Sequence, residues 1–171
     1  NAYTQSSTFH IIRHSRILPE SVKNYILTTR NQVPDLAAYM QENRLALQKA
    51  TLTFEQESDG KLIDREETKK FLLKRPDLHV VCGGYHNLEF TKAGVTKGTG
   101  LSFLCNYLHI PLQDSMACGD SENDLDILKA AGYAVAMENA EDEIKSVCDF
   151  VTRSCNNDGV GYAIAKCFGD E

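Results

Sequence analysis

Apolar and polar positions follow two textures along this chain, and they meet near residue 90. Before that point the pattern is mixed. Phe9-His10-Ile11-Ile12-Arg13 reads as a short strand. Leu18-Pro19-Glu20-Ser21-Val22 places a proline near a helix start, and Val22, Tyr25 and Ile26 keep helical spacing. A second helix begins after Pro34, with Leu36, Tyr39 and Met40 on one face. Between Ala46 and Phe54, Leu52 and Phe54 alternate with threonines, as a half-buried strand does. The run from Glu55 to Gly60 is a loop closed by Asp-Gly, and Asp64 is placed to cap a helix from Arg65 to Lys74, with Pro76 beyond its end. Leu78 to Cys82 and Asn87 to Phe90 then form strands joined through Gly83-Gly84 as a hairpin. The polar stretch from Asn1 to Thr8 predicts nothing by itself. Helices mixed with antiparallel strands give an α+β lobe over residues 1–90.

The second texture, residues 91–171, alternates helix and strand with short connections. Leu101, Leu104, Cys105 and Leu108 mark a helix after a glycine-rich stretch. Ser115 to Cys118 is a strand, Glu122 to Ala131 a helix, Gly132 to Met137 a strand, Ala140 to Val147 a helix and Phe150-Val151 a short strand. Asp158 or Gly159 opens a last helix carrying Ile164 and Phe168. Such alternation builds parallel sheets from βαβ units. The expected fold class is therefore α/β, a parallel-sheet unit with an α+β lobe before it.

Composition narrows the functions open to such a fold. The chain has 171 residues, 42% apolar and 25% charged, which are globular values. A net charge of −6 argues against a nucleic-acid or anionic-membrane surface. No apolar run approaches the roughly 20 residues that span a bilayer, and no charged-then-apolar leader opens the chain. Of the six cysteines, Cys82, Cys105, Cys118 and Cys148 fall in apolar stretches, and none forms a C-x-x-C pair. Reduced thiols in a cytoplasmic protein are expected, rather than disulfides or zinc.

Chemistry gathers in one stretch. Met116-Ala117-Cys118-Gly119 ends as a strand, and Asp120-Ser121-Glu122-Asn123-Asp124 follows at once. Ligands of open α/β sheets bind outside the carboxyl ends of strands, which is where Asp120 falls. Asp120 and Asp124 can together hold a hard cation beside a substrate phosphate, and Asn123 offers an amide donor. Lys97, at a predicted helix N-terminus, adds a point charge where backbone N–H groups already favour an anion. Each feature has a plainer reading: Lys97 as a solvated surface lysine, and Asp120 or Ser121 as a helix cap. A calcium loop is excluded, because its sixth and twelfth positions hold Leu125 and Ala131 in place of glycine and glutamate. Asp124 and Asp126 fall on different helix faces. The five histidines share no ligand spacing, and neither a G-x-S-x-G elbow nor a Walker loop is present.

Two motifs taken together, Ala93-Gly94-Val95-Thr96-Lys97-Gly98-Thr99-Gly100-Leu101 and Gly119-Asp120-Ser121-Glu122-Asn123-Asp124-Leu125-Asp126-Ile127-Leu128, resemble the haloacid dehalogenase (HAD) superfamily, Cof-type branch. The similarity extends through Gly132 to Ala140 and Asn157-Asp158-Gly159-Val160. Asn1-Ala2-Tyr3 resembles the start of the segment leading into that branch's cap. The resemblance implies a Rossmann-like core with an inserted cap, and magnesium-dependent hydrolysis of small phosphorylated metabolites (sugar phosphates or nucleotide-like esters) through an aspartyl-phosphate. It implies that Lys97 neutralises phosphate and nucleophile, Asp120 ligates Mg2+, Asn123 contacts the phosphoryl group, and Asp124 orders Lys97 or the metal shell.

The same resemblance implies an N-terminal D-x-D strand, bearing the nucleophile and the acid/base, and a Thr or Ser motif after it. Neither is found in the 171 residues, so the chain alone is expected to be inactive. A non-catalytic phosphate- or magnesium-binding module and a phospho-sugar mutase stand as the alternatives. The cap holds no readable specificity motif. His79, Tyr85 and His86 lie near its hairpin without a pattern that assigns them a role.

Overall fold

The computed structural model describes residues 2–16, 18–83 and 87–169. The chain opens with β1 (Tyr3–Gln5), α1 (Ser6–His14), α2 (Glu20–Thr29), β2 (Asn31–Val33) and α3 (Leu36–Glu42). Then come β3 (Lys49–Thr53), α4 (Arg65–Leu72), β4 (Leu78–Val81) and β5 (Asn87–Lys92). The second half runs α5 (Lys97–Leu108), β6 (Met116–Gly119), α6 (Leu125–Ala130), β7 (Tyr133–Ala136), α7 (Asp142–Lys145), β8 (Phe150–Val151) and α8 (Gly159–Phe168). Short 3-10 turns precede β6, α6 and α8.

Three sheets result. β1 and β2 pair in parallel, β3-β5-β4 form an antiparallel sheet with β5 central, and β6-β7-β8 form a parallel sheet with β7 central. This is the expected α/β architecture: parallel Rossmann-like sheet and helix, with an inserted α+β cap carrying the antiparallel sheet. No helix among the described residues is long and apolar enough to cross a membrane.

Three local expectations are corrected. Phe9 to Arg13 lies in α1 and is not a strand. Phe9 and Ile12 are both buried while His10 and Arg13 between and beyond them are exposed, a three-residue period that only a helix satisfies. The first half also contains a parallel pair, β1 with β2, where only antiparallel strands were expected. Asp64 occupies the position before α4, but its backbone is left-handed (φ 58°) and its side chain makes no capping bond. The β4–β5 hairpin pairs as expected, Val80 opposite Phe90; residue 84 of its Gly83-Gly84 connection lies outside the described residues.

The core of the second half is built from small residues on the strands and large ones on the helices. Ala117, Ala134 and Ala136 on β6 and β7 meet Leu128 of α6 and Ile144 of α7. Alanines on the sheet let these helices lie close, and burying Leu128 contributes roughly 1.5–3 kcal/mol. Helix α5 reaches α6 through Gly98: a Cβ there would stand 2.4 Å from the Asp126 carbonyl oxygen. That contact sets how near the start of α5 comes to the turn before α6.

It also yields a prediction with an internal control. Gly98→Ala gains up to about 1 kcal/mol of helix propensity, but overpacking against a backbone carbonyl costs about 1–3 kcal/mol. A net destabilisation of about 1–2 kcal/mol is expected by urea denaturation. Gly100→Ala, on the same helix with nothing within 4 Å of its added Cβ, should be neutral or stabilising. Equal effects of the two substitutions would remove Gly98 from this role.

Candidate active site

The site is assembled at the carboxyl end of β6. Gly119, the last residue of that strand, is buried, and a Cβ on it would lie 2.6 Å from the Asp124 Cβ. The absence of a side chain lets the 3-10 turn Glu122–Asp124 fold back over the strand end. Asp124 is thereby only 9% exposed. Its Oδ2 accepts from the Asp120 N–H at 3.0 Å and from the Ser121 N–H at 3.4 Å. Its Oδ1 is ion-paired with the Lys97 ammonium.

Lys97 arrives from the other side as the first residue of α5. The start of that helix is fixed reciprocally: the Thr99 N–H donates to Thr96 Oγ1 at 3.2 Å, and the Thr96 N–H to Thr99 Oγ1 at 2.9 Å. Lys97 Nζ also donates to Asn123 Oδ1 at 3.0 Å, and Ser121 Oγ donates to the same oxygen at 2.9 Å. Two donors on Oδ1 define which way the amide is turned and so on which side its NH2 lies. The ammonium has three hydrogens and spends two here, leaving one for an anion.

Burial pushes the Asp124 carboxyl up, but the Lys97 hydrogen bond, the Asp120 N–H, the lysine charge and the Ser121 N–H outweigh it. The net effect holds the group below the usual carboxylate range. Asp124 is thus an anion that holds the Lys97 ammonium in place.

Asp120 differs from Asp124 in being exposed. Its Oδ2 accepts from Asn139 Nδ2 at 3.1 Å, and Asn139 Oδ1 in turn accepts from the Cys155 N–H at 3.0 Å. The neighbouring Glu138 accepts from the Ser154 N–H at 3.1 Å. Hydrogen bonds therefore run across the carboxyl ends of all three parallel strands, β6 to β7 to β8. Asn139 is the residue that reading for chemistry missed. The available signal was its place just past the end of β7, where open α/β sheets gather ligand groups.

Lys97, Asn123 and Asp124 are thus in mutual contact, with the Asp120 backbone joined to Asp124 and its carboxylate turned to Asn139. Ser121 does take the position before the turn, so capping and site coexist. Asp126 pairs with His79 Nε2 at 3.3 Å, well apart in partners from Asp124. Lys69 of α4 pairs with Glu122 at 3.5 Å. Burial works against the Lys69 charge, but Cys82 and Glu122 prevail and raise it above the usual lysine range. Tyr85 and His86 lie outside the described residues.

The exposed carboxylate of this donor set is compatible with magnesium. Among the described residues no three His, Cys, Asp or Glu side chains cluster to enclose a metal. Magnesium usually takes one or two carboxylates and completes its shell with water and phosphate oxygens. The exposed carboxylate of Asp120 meets that demand, whereas both oxygens of Asp124 are already engaged.

Comparison with known proteins gives a consistent result. The profile of the haloacid dehalogenase-like hydrolases matches residues 2–164. A phosphoglycolate phosphatase of Methanothermobacter thermautotrophicus is 36% identical over 103 residues, covering 60% of this chain and 46% of that protein. The 5-amino-6-(5-phospho-D-ribitylamino)uracil phosphatase YwtE of Bacillus subtilis is 39% identical over 99 residues, covering 58% of this chain and 35% of its own length. Among solved structures, a haloacid dehalogenase-like hydrolase from B. subtilis superposes with a TM-score of 0.70 at 30% identity, covering 86% of this chain and 50% of that one. A phosphatase of the same superfamily from Bacteroides thetaiotaomicron gives 0.67 at 31% identity, covering 90% and 54%. The chain spans about half the length of these structures and less than half of the curated relatives.

Proposed function

The chain belongs to the haloacid dehalogenase-like hydrolases, and from that premise we propose that it is the cap and the lysine–aspartate half of a Cof-type, magnesium-dependent phosphatase of small phosphorylated metabolites. The observation that carries the reading is Lys97 held at once by Asn123 and Asp124, beside the exposed carboxylate of Asp120. Residues 1–90 act as the cap and 91–171 as part of the core. The substrates for which the relatives are named, phosphoglycolate and a phosphorylated ribitylaminouracil, are small phosphate esters and support that substrate class. Six free thiols suit a reducing compartment, the cytoplasm.

In this reading the phosphoryl group lies against the free hydrogen of Lys97 and the NH2 of Asn123. Transfer of a phosphoryl group is chiefly a matter of positioning and of charge stabilisation. Lys97 supplies fixed positive charge that Asp124 aims, Asn123 supplies neutral donors to a phosphoryl oxygen, and Asp120 would hold the metal. Bound magnesium supplies Lewis-acid withdrawal of charge from the phosphoryl oxygens. The nucleophilic aspartate comes from a D-x-D strand outside the 171 residues. The outer edge of β6, unpaired among the described residues, accommodates that strand beside Asp120.

A direct assay tests this. The 171-residue chain, given magnesium and a panel of small phosphate esters, should release no phosphate above background. Joined to a D-x-D segment from a relative such as the B. subtilis hydrolase, it should turn over. Turnover by the chain alone would place a nucleophile within it. Silence of the joined protein on every ester, with the fold intact, would favour a binding module.

A further inference from the structure

We propose that Arg65 and Lys69 of α4, converging on Cys82, form a subsite for a carboxylate carried by the alcohol portion of the substrate. Two cations meet at one sulfur: Arg65 Nη2 is 3.0 Å and Lys69 Nζ 3.4 Å from Cys82 Sγ. Their side chains are only 15% and 25% exposed. Cys82 and Glu122 offset the burial of the Lys69 charge, but a lone sulfur is a weak acceptor that offers neither cation the pair of oxygens a carboxylate has. Arg65 Nε is buried with no hydrogen-bond partner among the described residues. The carboxylates at hand are committed elsewhere or lie at the rim. Glu66 holds Arg65 Nη1 from a side chain 69% exposed, and Glu89 is taken by Lys49 at 2.6 Å.

The position of this pair decides what it serves. Lys69 reaches Glu122 at 3.5 Å, and Glu122 adjoins Asn123, which touches Lys97. Lys69 therefore contacts the residue next to Asn123 on the turn that the phosphatase reading sets beside the phosphate, and Arg65 joins it through Cys82. Glu122 is loosely held and half exposed, so it is displaceable by another carboxylate. A substrate carboxylate would give the guanidinium a forked acceptor and the ammonium a full charge. A phosphate ester of a hydroxy acid satisfies both ends. The subsite extends the phosphatase reading and rests on it for its place in catalysis.

Two measurements test it, and they fail separately. In the 171-residue chain, alkylation of Cys82 by iodoacetate relative to iodoacetamide, read by peptide mass mapping, reports the local positive charge. That ratio should exceed the ratios at the exposed Cys155 and Cys167 several-fold, fall to theirs in Lys69→Met, and be retained in Lys69→Arg. The ratio cancels any change in thiolate population, and Arg65→Met provides a second variant should Lys69→Met unfold. Equal ratios at all three thiols would overturn the subsite whatever the enzyme does. In the catalytically complete protein, Lys69→Met should lower kcat/KM for 3-phosphoglycerate about tenfold, as loss of a charge-assisted hydrogen bond does. The value for glycerol 3-phosphate, which replaces the carboxylate with CH2OH, should stay unchanged. Equal losses on both esters would overturn the subsite. Failure to hydrolyse any ester would count against the phosphatase reading, and the alkylation ratio would still decide the anion subsite.

Discussion

Asp120→Asn should lower magnesium-dependent turnover of the catalytically complete protein about a thousandfold while leaving its stability essentially unchanged. The substitution keeps size and hydrogen bonding, since an amide oxygen still accepts from Asn139 Nδ2, as Asp120 Oδ2 does at 3.1 Å. The Asp120 backbone N–H still reaches Asp124. The side chain is exposed, so changes in unfolding free energy should stay within about 0.5 kcal/mol. What is lost is the anion, a carboxylate held through Oδ2 by Asn139. A metal's withdrawal of charge from phosphoryl oxygens is worth several kcal/mol in the transition state, and about 4 kcal/mol corresponds to a thousandfold in rate. Steady-state kinetics across a magnesium titration, with urea denaturation alongside, checks both halves. Wild-type activity in the variant would remove Asp120 from the site, and matched losses of activity and stability would reduce it to a structural residue.

Asp124→Asn, unlike Asp120→Asn, should carry a large stability effect, and one that depends on pH. The carboxylate is buried and accepts from Lys97 and two backbone N–H groups. Hydrogen bonds to a charged group contribute about 1.5–3 kcal/mol. Lys97 is half exposed and can regain water when unpaired, which places the expected loss near 2 kcal/mol rather than the roughly 3–5 kcal/mol of a fully buried pair. Because the folded state holds this carboxyl below its usual range, its contribution is fully present above the unfolded value near 4 and is lost as pH falls through the lower folded value. The difference between wild type and Asp124→Asn should therefore be flat from pH 7 to about 5 and shrink below about 4. A double-mutant cycle with Lys97→Met, by urea denaturation at pH 7 and pH 3, isolates the pair. A coupling that persists unchanged at pH 3 would contradict the assignment.

The parts of this fold legible in the sequence are those whose pattern is local. Apolar runs ending in glycine mark β6, and helical spacing marks α5 and α8, so the second half could be read with small boundary errors. The helix expected from Ala140 to Val147 shortens to Asp142–Lys145, and the one expected from Glu122 opens as a 3-10 turn. The first half was less legible because its elements depend on tertiary contacts. β1 and β2 have three residues each, mostly polar, and exist because they pair across 28 positions, Tyr3 with Asn31. Phe9-His10-Ile11-Ile12 suits either period over so short a span, and burial of Phe9 and Ile12 together decides for the helix. The site shows the same division. Lys97, Asp120, Asn123 and Asp124 stand in the two motifs, whereas the contacts of Asn139, Arg65 and Lys69 are to partners distant in sequence.

The strand order of the parallel sheet also bears on how the site persists in time. β7 is paired on both sides, and Val135 and Ala136 are fully buried. Amide protons on such a strand exchange with solvent only through openings close in free energy to complete unfolding. Asn139 leaves the end of this strand to hold Asp120 on one side and the Cys155 N–H on the other. The loops at the carboxyl ends of the strands are thus moored to the slowest-opening segment of the sheet, and their fluctuations are those of tethered ends rather than of the floor beneath them.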